Sequence, residues 1–169
     1  MIHCFISSVS AVYVEDPTFG TAVSKVNTTS ITAVDLHYYE GGLIEVFVAQ
    51  HGAPGVLVFS ENGTFKRSFG EDVLSTPHGM RANTSNGVHS LWVEDFGIQG
   101  KCLRQFEAQT GKLLSTIGTP GNGGSSLTPL QFDNVADVAF TSDGGFVIAD
   151  GDGGVNNRVY ASFTHGCSL

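Results

Sequence analysis

The feature that most limits how this chain can fold is internal repetition. Three stretches share one pattern: LIEVFVAQHG (43–52), HSLWVEDFG (89–97) and GGFVIADGDG (144–153). Each is a short β-rich run ending in an acid or amide, with glycine close behind. The marked positions, Gln50, Asp95 and Asp150, lie 45 and 55 residues apart. A shorter strand-like run precedes each one: TAVDL (32–36), GMRA (79–82) and ADVAF (136–140). After the first two, GVLVFSENGTFKRSFG (55–70) aligns with KCLRQFEAQTGKLLSTIG (101–118), so Phe59 answers Phe106 and Gly70 answers Gly118. The turns ENG and QTG supply the Asn or Gly that tight hairpins need for positive φ. Four strands in about 45–55 residues is the period of a β-propeller blade.

The third unit continues into RVYAS (158–162) and then stops at FTHGCSL without a clear fourth strand. Near the start, VYVED (12–16) echoes LWVED as a cut-down repeat. No segment of 11 or more residues carries a 3.6-period apolar stripe free of Gly or Pro, so no helix is expected. A β-sandwich could use the same strands, but the repeated four-strand register favours a propeller. The expected fold is all-β, a partial β-propeller of about three four-stranded blades. Its parts are an irregular head or partial repeat at 1–30, blades at 31–70 and 71–118, and an incomplete blade at 119–169.

Composition agrees and narrows the partners. With 22 Gly and 12 Phe but only 14% charged residues, the chain suits a strand-rich protein with many tight turns. Lys and Arg number 8 against 16 Asp and Glu, a net charge of −8. The basic residues are scattered, which argues against nucleic acid and anionic membranes as partners. No apolar run reaches about 18 residues, so no transmembrane segment is expected. The apolar opening MIHCFISSVSAVYVED lacks a basic leader and reads as the edge of a truncated chain, ahead of a poor signal peptide. Sequons at Asn27, Asn62 and Asn83 are glycosylation candidates and point to a secreted protein, Asn62 falling in a hairpin turn. Cys4, Cys102 and Cys167 form no C-x-x-C pair and leave disulfide status open.

Motifs that suggest chemistry have plainer readings. DGDGGVNN (150–157) fails as a calcium loop, since Gly154 and Ala161 occupy ligand positions. It reads as a strand-end loop in which Asp150 binds backbone amides and Arg158 pairs with a carboxylate between blades. GTPGNGGSS (118–126) lacks the G-K-[ST] of a phosphate loop and reads as an inter-blade loop. Trp92 falls at a strand position held by Phe47 in the unit before, which marks it as core. Glu94 and Asp95 are adjacent, so on opposite faces of a strand, and cannot act as an acid–base pair.

The units resemble the NHL-repeat family of β-propellers over roughly residues 31–163, through the DVAF, FVIAD and NNRVY pattern. GTPGNGGSSLTPLQFDN (118–134) and IADGDGGVNNR (148–158) carry the likeness further. It implies a non-enzymatic interaction module, a piece of a secreted or lysosome-associated protein, binding protein or peptide partners through loops between blades. A more distant similarity runs to the peptidyl-hydroxyglycine amidating lyase, a zinc enzyme on the same repeat. That likeness implies His78, in TPHGM, as one of three zinc ligands near the axis. It implies the Met80 carbonyl as a calcium ligand and Asp152 at the place of a catalytic tyrosine. Catalytic zinc needs three protein ligands, and none of the other histidines, His3, His37, His51, His89 and His165, matches His78 in another unit. No cofactor is therefore expected, with zinc and calcium reserved for the lyase-like alternative. Three blades also leave sheet faces open, so either poor solubility or self-association, for instance as a two-chain six-blade ring, is expected.

Overall fold

The computed structural model describes Pro17, Phe19 and residues 28–162 except Gly153 and Val155. Asn27, Cys4, Cys167 and the VYVED echo lie outside the described residues. Among those described there are eleven strands and no helix. Blade 1 comprises β1 (Ile31–Tyr38), β2 (Ile44–Gln50), β3 (Val56–Ser60) and β4 (Phe65–Phe69). Blade 2 comprises β5 (Pro77–Ser85), β6 (Val88–Asp95), β7 (Cys102–Glu107) and β8 (Leu113–Gly118). Blade 3 holds β9 (Val135–Phe140), β10 (Phe146–Asp150) and β11 (Arg158–Ser162). Each sheet is an antiparallel meander in chain order, and β5 packs against both β1 and β9. Over the described residues the architecture is a partial β-propeller whose ring is not closed.

Strand β5 is longer than the GMRA run suggests, taking in His78 and Asn83. The cause is the turn Asn86–Gly87, with φ of 51° and 75°. Positive φ at both positions is the tight hairpin geometry that Asn-Gly favours, and it extends pairing down to Ser85 and Val88.

Apolar side chains fill two seams between blades. Seam 1–2 is built from Phe47, Ala49, Val56 and Val58 against Met80, Leu91, Val93 and Phe106. Seam 2–3 joins Trp92 and Leu103 to Phe132, Val135, Val138 and Ile148. Because alternate residues of β6 serve the two seams, the strand is buried on both faces. Trp92 is core as expected, its ring 5.5 Å from that of Phe140 and 6.0 Å from that of Phe146.

Candidate functional site

The repeated acid or amide at the end of each second strand is a clasp. Asp95 accepts the backbone N–H groups of Ser75 and Thr76 at 2.8–3.1 Å and pairs with Arg104 at 3.2 Å. Asp150 accepts those of Asp133 and Asn134 at 2.8 and 3.0 Å and pairs with Arg158 at 2.9 Å. Gln50 does the same work for Thr29, at 3.1 Å. Each side chain therefore ties the loop entering a blade to that blade's second strand. Arg158 also donates to the carbonyls of Ser125 and Gln131. Its carboxylate partner belongs to its own blade, whereas a pair between blades was expected. The cause is register: Asp150 lies opposite Arg158 in the β10–β11 pairing.

Directly after each clasp pairing comes a bulge in the inner strand. Gln50 faces Ile31 and Ala49 faces Ala33, so Thr32 is extra. In the same way His78 is extra in blade 2 and Ala136 in blade 3. Bulges re-aim side chains, so Thr32, His78 and Ala136 are equivalent positions near the same end of the axis. Only one is an imidazole. The His78 ring stacks on Phe96, with centroids 4.9 Å apart. Its Nε2 lies 3.8 Å from Asp152 Oδ2, both side chains more than 40% exposed. Met80 is buried in seam 1–2. Among the described residues, no group of three or more His, Cys, Asp or Glu side chains is placed to hold a metal ion.

Sequence reasoning missed the polar groups inside the seams. In seam 1–2, His37 Nε2 lies 2.8 Å from His89 Nδ1. Beside them Glu45 receives Tyr39 Oη at 2.9 Å, a two-pronged Arg67 at 2.7 Å, and Lys66. Burial works against the Glu45 anion, yet these three donors hold its carboxyl down at about 2. Arg67 also donates across the seam to the Ala108 carbonyl. In seam 2–3, Glu94 is 1% exposed and its oxygens meet no close hydrogen-bond partner among the described residues, the Val138 N–H beside them being given to Asp137. Burial, and then the Asp137 carboxylate, push its carboxyl up to about 7. Cys102 is a buried free thiol, pushed by its burial up to about 12 and so unsuited to nucleophilic work.

No protein-family model matches the chain. A 118-residue stretch, however, is 43% identical to NHL repeat-containing protein 3 of Mus musculus. The chain belongs to the NHL-repeat family. The same length is 41% identical to NHL repeat-containing protein 3 of Homo sapiens. Each match takes in 68% of this NHL-repeat chain and 33% of the relative, so it spans about a third of the length of those curated relatives.

Within this NHL-repeat chain the clasps were legible as a periodic acid, and their loop partners were not. The seam groups had one faint signal, an alternation in VHSLWVED that gives neither face to water.

Proposed function

We propose that this NHL-repeat chain is a non-enzymatic interaction module of a secreted or lysosomal protein, and that its partner surface is the pair of sheet faces that no other blade among the described residues covers. The exposed apolar row on β1 carries this reading. Val34, Leu36 and Tyr38 are 65%, 44% and 63% exposed, on the face opposite seam 1–2. Towards the outer strands that face is filled by Val46, Leu57 and Phe59, with Phe19 against Phe59. Blade 3 offers a matching face of Ala139, Val147, Ala149 and Val159, the last 71% exposed. Faces of this kind bury one another at both internal seams, so the occupant we assign is a second copy. Blade 3 of one copy meets blade 1 of the other, and two such contacts close a six-blade ring without open faces.

The role needs neither zinc nor calcium. Of the sequons, Asn62 is exposed in the β3–β4 turn and is the acceptor expected to carry glycan. Sedimentation velocity over a concentration series tests the reading. The wild-type chain should dimerise, and Val34→Lys or Val159→Lys should return it to monomer. A folded wild-type monomer at every concentration would sink it.

A further inference from the structure

The contact between His37 and His89 crosses from blade 1 to blade 2, and its chemistry limits the protons it can hold. At 2.8 Å, one N–H can point from one ring nitrogen to the lone pair of the other. If both rings are imidazolium, two N–H groups face each other with no lone pair between them. His37 is 5% exposed and His89 half-buried, so water reaches the contact from the His89 side alone and leaves the His37 charge dry unless the seam opens. We propose that this histidine pair is an acid-released latch that holds blade 1 against blade 2.

The groups around the pair leave it the deciding element. Thr84 of blade 2 places Oγ1 3.0 Å from His89 Nδ1 and 3.5 Å from His37 Nε2, and it can adapt to either proton arrangement. Tyr39 lies edge-on to His37 at 4.5 Å and tilted to His89 at 4.9 Å. Asp35 and Glu45 are the acidic groups that favour a charged His37. Both are engaged elsewhere: Asp35 accepts the Ala82 N–H at 2.7 Å, and Glu45 is held by Arg67, Lys66 and Tyr39. Burial and the second imidazole outweigh them, so His37 takes a proton less readily than a free imidazole.

The sign follows from linkage. A histidine that binds protons less well folded than unfolded contributes stability above the unfolded value of 6.5, and loses it as pH falls below. Two further contacts across this seam, Arg67 to Ala108 and Thr32 to the Pro77 carbonyl, carry no group that titrates in that range. Acidification therefore loosens this seam at its histidine end while the apolar cluster of Phe47 and Leu91 still connects the blades.

Hydrogen exchange of the full chain, read by mass spectrometry at pH 7.5 and 5.5 and corrected for intrinsic rates, tests the latch. Protection of β1 amides near His37 should fall at pH 5.5, by up to about tenfold for one histidine, while β9 amides, on the Glu94 side, keep or gain theirs. In His89→Gln the amide group can still bond to His37 without taking a proton, and the fall should shrink to the part that the burial of His37 alone causes. Equal β1 protection at both pH values in the wild type would overturn the proposal, as would an undiminished fall in His89→Gln. Should that variant unfold, ring-nitrogen chemical shifts of the wild type decide. Simultaneous protonation of both rings with the seam still closed would overturn the latch, and opening on double protonation would support it.

Discussion

A carboxylic acid as buried as Glu94, with no close donor on either oxygen among the described residues, favours its protonated form. The folded chain holds that proton up to about pH 7, and the unfolded chain releases it near 4.5. Stability from this site is therefore complete in acid and is lost as pH rises between those values. Glu94→Gln should abolish that slope and raise stability at pH 8 by roughly 2 kcal/mol over wild type, read as urea midpoints at pH 5 and pH 8. Parallel midpoints in the two proteins would refute it. The partner across the pair is Gly79, where an added Cβ would sit within the carboxylate, 2.7 Å from Glu94 Cδ. In blade 1 the equivalent pair is Ala33 and Ala49, and in blade 3 it is Asp137 and Ala149. Gly79→Ala should thus destabilise by about 1–3 kcal/mol, and adding Glu94→Ala should recover most of the loss by rebuilding the blade 1 pair. Additive losses in the double variant would count against it. In the sequence, Glu94 and Asp95 fell correctly on opposite faces of a strand. That neither face is wet depends on a neighbouring blade, which period-two alternation does not encode.

At the scale of the element, the clasps set how each blade begins. Asp95→Ala would orphan two backbone N–H groups and leave Arg104, 8% exposed, without its carboxylate. Stripping one partner from a buried ion pair costs about 3–5 kcal/mol, whereas Gln50→Ala removes neutral hydrogen bonds worth about 1 kcal/mol each. Guanidinium midpoints should show the larger fall at Asp95, and equal falls would mean the Arg104 ion pair adds nothing to the clasp. Strands and turns were readable because β-runs and Asn or Gly at hairpins are local signals. The bulges at Thr32, His78 and Ala136 were not, since an extra residue changes register without leaving a mark in composition. For that reason the sequence could name His78 and not the two positions it must be compared with.

Across the whole molecule, anything held on the axis has to draw ligands from several blades at once. The three blades bring Thr32, His78 and Ala136 to equivalent places, and one imidazole does not make a catalytic zinc site. Zinc and calcium in the purified chain, measured by plasma mass spectrometry, should stay well below one atom per molecule, with no dependence on His78→Ala. Stoichiometric zinc lost in that variant would reopen the lyase-like reading. The two seams also differ in kind: one is closed by facing imidazoles, the other by a buried carboxyl lodged over a glycine. Blades in this protein are consequently not spare parts. A shuffled or duplicated arrangement would set an imidazole opposite an apolar wall, or a carboxylic acid against an occupied pocket, so blade order is keyed at each seam.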